Sequence, residues 1–224
     1  KIISITGSCG KTSLKELTGK CLNKISQTTY SPRSFNNKFG VPLSLFNLKE
    51  NDDFGIFEIG MDKKGEIDYL SKIINPDVGV ITNISYAHIK NFKNINQIAL
   101  AKSEIIKNIK KEGYLILNKD DKFYNFHKKI ALKRNLKILS FSLKNKSATI
   151  NLDSISKNKS KYKISININK KKKYFYFNSL FENDLKNLLA TITIISIYKD
   201  VHKLDKDIFY DYKAINGRGD LVKV

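Results

Sequence analysis

The stretch Ile2-Ile3-Ser4-Ile5-Thr6-Gly7-Ser8-Cys9-Gly10-Lys11-Thr12-Ser13 decides how the rest of the chain is read. An apolar run ends at Thr6, and two glycines bracket a short turn. Apolar residues then recur as Leu14, Leu17, Cys21, Leu22 and Ile25, the spacing of one helix face. Strand, glycine loop and helix in this order form a phosphate site. Glycine lets backbone N–H groups approach a triphosphate closely, and the helix presents its positive end. Lys11 is then placed for the terminal phosphates and the Thr12 hydroxyl for magnesium, with Gly7, Ser8, Cys9, Gly10 and Ser13 completing the cradle. The generic pattern would put its first glycine where Ile5 stands, so this is a shifted variant that begins at Gly7. A chance glycine-rich turn is the plain alternative. Cys9 reads as an activated thiol at a helix N-terminus or, more simply, as a small loop residue.

The 224 residues, 41% of them hydrophobic, can bury a substantial core. No leader sequence is evident, and the longest uncharged apolar run, from Leu188 to Tyr198, is too short to cross a bilayer. Two cysteines make no disulfide framework, so a cytoplasmic setting is expected. A net charge of +20 invites a nucleic-acid partner, yet Arg33, Arg134 and Arg218 are the only arginines among 41 basic residues, and no basic-aromatic RNA motif is present. The lysines therefore read as solvated surface, and nucleic acid is not the expected partner.

Beyond the first helix, Thr29 to Pro42 is a long polar loop carrying Asn36 and Asn37, which are either ordinary turn residues or neighbours of the phosphate site. Pro42 stands where a short helix would begin. Phe54 to Gly60 is a buried strand with an acid inside it. Glu58 is a candidate to complete a magnesium shell, with a structural salt bridge as the alternative. A helix over Ile67, Leu70, Ile73 and Ile74 leads to a strand from Val78 to Ile84, just beyond which lies His88, one of three histidines. Three features thus follow the carboxyl ends of strands, the edge where open α/β sheets bind ligands. From Asn94 to Lys111 a helix carries Ile95, Ile98, Ile105, Ile106 and Ile109, and Lys102 falls on that apolar stripe. Desolvation there would yield a neutral amine able to add carbon dioxide and become an anionic carbamate; a lysine snorkelling to water is the alternative.

Further strands are expected at Tyr114 to Asn118 and Leu136 to Phe141, with a helix from Asp120 to Arg134 between them. Residues 146–178 alternate with period two and read as antiparallel hairpins. A helix from about Asp184 to Tyr198 places Asn187 in its first turn, where it could meet a base edge, cap the helix or be exposed. Lys1 already enters a core strand and a strand signal stops at Val224, so both ends read as cut from a longer protein.

Thr6 to Thr12, Phe57-Glu58-Ile59-Gly60, Thr82-Asn83-Ile84 with Ala87-His88, Ala101-Lys102-Ser103-Glu104, and Gly217-Arg218 together resemble the central domain of the Mur ligase family, ATP-dependent amide-forming enzymes of peptidoglycan synthesis. The resemblance covers essentially the whole chain. Ser34-Phe35-Asn36-Asn37-Lys38-Phe39-Gly40-Val41-Pro42-Leu43 is most similar to members that join D-alanyl-D-alanine to UDP-N-acetylmuramoyl-tripeptide. The resemblance implies one α/β domain over 1–224, a mostly parallel sheet flanked by helices with a phosphate loop and a small antiparallel edge; the UDP-binding N-terminal and the C-terminal domains would lie outside it. It implies ATP on residues 7–13, with Lys11, Lys102 and His88 catalytic. Thr12 and Glu58 would hold one magnesium, and His88 and a carbamylated Lys102 a second. Asn36 and Asn37 would lie near the phosphates, Asn187 on adenine and Arg218 on the nucleotide. The family's usual His-Asn pair ahead of the adenine-contacting asparagine is here Asn183-Asp184. The implied protein is a cytoplasmic monomer, and the isolated chain is expected to bind magnesium-ATP weakly without ligating. Another member of the superfamily, folylpolyglutamate synthase-like included, and a non-catalytic lysine-rich polyanion-binding module are the alternatives.

Overall fold

The computed structural model describes residues 1–86, 91–158 and 161–212. Its strands are β1 (Ile2–Thr6), β2 (Thr28–Tyr30), β3 (Phe54–Glu58), β4 (Val78–Ile81), β5 (Tyr114–Asn118), β6 (Lys137–Ser142), β7 (Ile150–Asn158), β8 (Lys161–Ile168) and β9 (Lys171–Phe177). They form one sheet in the order β2-β3-β1-β4-β5-β6-β7-β8-β9. The pairs from β2 through β7 are parallel, and the β7–β8 and β8–β9 pairs are antiparallel. The expected hairpins thus continue the parallel sheet.

The helices are α1 (Lys11–Asn23), α2 (Gly40–Leu45), α3 (Glu66–Ile74), α4 (Ile95–Lys102), α5 (Tyr124–Leu132) and α6 (Glu182–Ile195). Alternate strand residues feed two apolar layers. Ile3, Ile5 and Ile116 join Leu14 and Leu188, from α1 and α6, on one side. Phe57, Leu115 and Leu117 join Ile67, Ile98 and Ala131, from α3, α4 and α5, on the other. No helix among the described residues is long and apolar enough to cross a membrane.

Several boundaries differ from expectation. Thr29 and Tyr30, expected to open the long loop, instead form with Thr28 an edge strand. The helix expected from Asn94 to Lys111 stops being α at Lys102 and tightens into a 3-10 turn over Ser103–Asn108. There Glu104 reaches across to the start of α3, accepting from the N–H groups of Gly65 (2.9 Å) and Asp68 (3.1 Å). The helix expected from Asp120 is shorter, because Asp121 accepts from the Phe123 N–H (2.8 Å) and Asp120 from the Leu143 N–H (2.7 Å). Ile73, grouped with Ile67, Leu70 and Ile74 in the sequence, is exposed on α3 while the other three are buried.

Candidate functional site

Parallel register sets the carboxyl ends of β3, β1 and β4 side by side, pairing Ile5 with Glu58 and Thr6 with Ile81. The loop after β1 needs its glycines. Gly7 and Gly10 have φ of +147° and +81°, and a Cβ on Gly7 would lie 1.8 Å from the Thr82 hydroxyl. The loop is stitched onto the chain leaving β4. Thr82 Oγ1 donates to the Cys9 carbonyl (2.7 Å), the Cys9 N–H donates to Asn83 Oδ1 (3.0 Å), and the Ser8 N–H donates to the Asn83 carbonyl (2.9 Å). Ser85 N–H donates to Ser8 Oγ (2.9 Å). The N–H groups of Ser8 and Cys9 are therefore spent on Asn83, and the anion-facing donors are those from Gly10 into α1. That helix start has no capping side chain and no acid in its first turn, which leaves its positive end open.

Two ammonium groups converge beneath the loop. Lys11 Nζ donates to the carbonyls of Gly7 (3.0 Å) and Ser8 (3.5 Å), and Lys102 Nζ donates to the same Gly7 carbonyl (2.9 Å). Lys102 is 1% exposed, so the inward orientation read from its helix stripe is the observed one. Burial first, and the neighbouring Lys11 charge second, bring its amine down to about 7. That is the range in which a lysine supplies neutral nitrogen.

Glu58, at the end of β3, is 1% exposed. Its Oε1 accepts from Asn36 Nδ2 (2.7 Å), while Oε2 is buried with no hydrogen-bond partner among the described residues. Glu58 and Thr12 line one cavity of ≈ 510 Å³ together with Ser8 to Ser13, Ser34, Asn36, Asn183, Asp184 and Asn187. An orphaned carboxylate oxygen opposite a threonine at an open helix start is a donor set that fits a hard cation such as magnesium. No group of three or more His, Cys, Asp or Glu side chains among the described residues forms a metal cluster of its own.

The two asparagines of the long loop divide their work. Asn36 holds Glu58, but Asn37 Oδ1 accepts from the N–H groups of Phe39 (3.0 Å) and Gly40 (2.9 Å) and opens α2, which is the turn role. Asn187 is buried. Because α6 begins at Glu182, it lies in the second turn rather than the first, and its Oδ1 sits 3.2 Å from where a Cβ on Gly10 would be. It is thus neither a cap nor exposed. A second cavity of ≈ 600 Å³ adjoins the first through Lys11 and Asn36, and is rimmed by Lys38, Lys63, Lys64 and Tyr69. His88 and Arg218 lie outside the described residues. Asn83, quoted within Thr82-Asn83-Ile84 but given no role there, proves to be the post on which the phosphate loop is tied.

The Mur ligase middle domain matches residues 5–195. The chain is 42% identical over 146 residues to the UDP-N-acetylmuramoyl-tripeptide--D-alanyl-D-alanine ligase of Buchnera aphidicola subsp. Acyrthosiphon pisum, covering 65% of this chain and 32% of the relative. It is 36% identical over 193 residues to the enzyme of the same name from Buchnera aphidicola subsp. Baizongia pistaciae, covering 86% of this chain and 41% of the relative. Among solved structures, MurF from Acinetobacter baumannii superposes with a TM-score of 0.87 at 27% identity, over 100% of this chain and 48% of that one. MurF from Thermotoga maritima, in complex with ADP, shares the fold with a TM-score of 0.83 at 22% identity, over 96% of this chain and 49% of that one. The chain therefore spans 32% to 49% of the length of these four proteins.

Proposed function

The chain belongs to the Mur ligase family, and on that premise we propose that it is the ATP-binding central part of a ligase that joins D-alanyl-D-alanine to UDP-N-acetylmuramoyl-tripeptide in peptidoglycan precursor synthesis. The observation that carries this reading is the meeting of an open α1 start, Lys11, and the orphaned Glu58 oxygen in one cavity, with the buried Lys102 amine against the same loop. The names of the curated relatives support the choice of substrates.

In this reading, N–H groups from Gly10 through Ser13 and the α1 dipole bind the phosphates, and Lys11 neutralises the oxygens of the phosphoryl group in flight. Thr12 Oγ1 and Glu58 would hold one magnesium ion; Lys102, once its neutral amine has added carbon dioxide and lost a proton, would hold a second with His88. Bound magnesium supplies positive charge to the phosphoryl oxygens. Asn187, on the cavity lining, is assigned to the nucleoside, and the same role is proposed for Arg218, which lies outside the described residues. The tripeptide carboxylate takes the terminal phosphoryl group and ADP leaves. The dipeptide amine then attacks the acyl carbon, a proton leaves nitrogen, and phosphate departs as the amide forms. No protein nucleophile is required. The relatives' additional length is assigned to the uridine nucleotide and the incoming amine, and the complete enzyme to the cytoplasm as a monomer.

Binding of ATP to the 224-residue chain, followed by calorimetry, should be weak and should fall about 100-fold in Lys11→Ala, which removes a charge-assisted phosphate contact. A complete ligase carrying this domain should use D-alanyl-D-alanine in preference to single amino acids. Ligation by the 224 residues alone would contradict the division of labour. Salt-dependent polyanion binding that survives Lys11→Ala would favour the non-catalytic alternative.

A further inference from the structure

We propose that Lys15 is a positioning residue for the metal side of the nucleotide site, an inference that rests on the reading of Thr12 and Glu58 as magnesium-holding. In a chain whose lysines are mostly at the surface, Lys15 is 0% exposed. Its ammonium donates to the carbonyls of Ser31 (2.5 Å) and Arg33 (2.6 Å) and pairs with Glu16 Oε1 (2.8 Å). Three acceptors match the three N–H bonds the group can donate. Arg33 has φ of +45°, and at that turn two carbonyls two residues apart meet one nitrogen. A buried ammonium tolerates no lost partner, so loop conformers that release either carbonyl are strongly disfavoured.

What the clamped loop carries gives the clamp its purpose. Ser31 Oγ accepts the Glu58 N–H (3.2 Å), and Asn36, farther along the same loop, donates to Glu58 Oε1 (2.7 Å). The Asn36 carbonyl also accepts the Gly60 N–H (2.7 Å), fixing the chain just past Glu58. Lys15 stands one turn after Lys11 on the helix whose first turn bears Thr12. One rigid helix therefore presents Thr12 directly and, through Lys15 and the loop, sets where the free oxygen of Glu58 points. Groups that orient a metal-holding carboxylate typically change metal affinity 10- to 100-fold when removed.

The test is a magnesium chloride titration of the full chain in saturating ADP, with ADP affinity in chelator measured beside it. Lys15→Met should raise the magnesium concentration at half-saturation about tenfold and leave magnesium-free ADP affinity within about twofold. In a Glu58→Gln background it should add nothing, because the route runs through that carboxylate. An unchanged half-saturation, an equal loss of magnesium-free affinity, or full additivity with Glu58→Gln would overturn the proposal. Where Lys15→Met does not fold, Lys15→Gln, which keeps an amide donor toward the loop carbonyls, carries the same comparison; it should fall between wild type and tenfold, with Glu16→Gln near wild type. If wild-type binding ignores magnesium, or Glu58→Gln leaves its dependence intact, the metal reading itself fails. A normal Glu58 effect with a silent Lys15 sinks only the clamp.

Discussion

Two carboxylates mark opposite ends of the same parallel strands and are treated in opposite ways. Asp77, where the chain enters β4, accepts from the Ile2 N–H (2.7 Å) and from Lys110 Nζ (3.0 Å), so each oxygen has a donor. Glu58, at the end of β3, is more deeply buried yet keeps one oxygen with no partner among the described residues. Burying an unpaired carboxylate oxygen is costly, and a fold that only needed stability would have paired it. The amino edge pairs its carboxylate fully, whereas the carboxyl edge keeps a buried carboxylate oxygen unpaired among the described residues.

Glu58→Gln tests that contrast most severely. Gln keeps an oxygen for Asn36 but removes the charge, so magnesium dependence of ADP binding should weaken by roughly 100-fold. Thermal unfolding of the unliganded chain should be unchanged or shifted upward, because a neutral amide costs less to bury than a carboxylate. A large drop in melting temperature without loss of magnesium response would make Glu58 a structural acid like Asp77.

Asp77→Asn should show the reverse profile: nucleotide binding intact and stability lower by roughly 1 kcal/mol at neutral pH, allowing for partial exposure. Burial alone would raise the Asp77 pKa, but the Ile2 N–H and the Lys110 ammonium outweigh it and hold the carboxyl below its usual 3.8. A carboxyl with a depressed folded pKa contributes stability that is present above pH 3.8 and lost as pH falls through the folded value. Acid unfolding of wild type should therefore converge with that of Asp77→Asn at low pH. A difference that persists there would point to packing rather than charge.

The strands that frame this contrast were legible because each is a continuous apolar run interrupted only where chemistry sits, and the glycine loop fixed which edge mattered. Lys102 was legible for the same reason, as a charge on an apolar stripe. Lys15 was not, since its burial depends on carbonyls of Ser31 and Arg33 that no local pattern announces, and in a lysine-rich chain it looks like surface. The task of Asn83 was hidden, though the residue stood in a quoted motif, because it holds the back of the loop rather than facing a ligand. The end of α4 was misjudged because Glu104 is drawn toward α3, a contact set by the fold. β2 carries only Thr28, Thr29 and Tyr30, too short and polar to stand out from the loop after it.

The subtlest test asks whether an unpartnered buried atom suffices to mark function. Ser4 Oγ, in the middle of β1, is also buried without a partner among the described residues, as is Thr6 Oγ1. Ser4 lies below the loop on the strand that pairs with both β3 and β4, and it does not line the cavity that holds Glu58. If orientation into the cavity is what matters, Ser4→Ala should leave magnesium and ADP binding unchanged. It should also raise stability slightly, by up to about 1 kcal/mol, since it deletes an unsatisfied hydroxyl at little packing cost. Chemical denaturation read beside the magnesium titration decides it. A weakened magnesium response in Ser4→Ala would extend the functional region down the strand and blur the line drawn between the two edges.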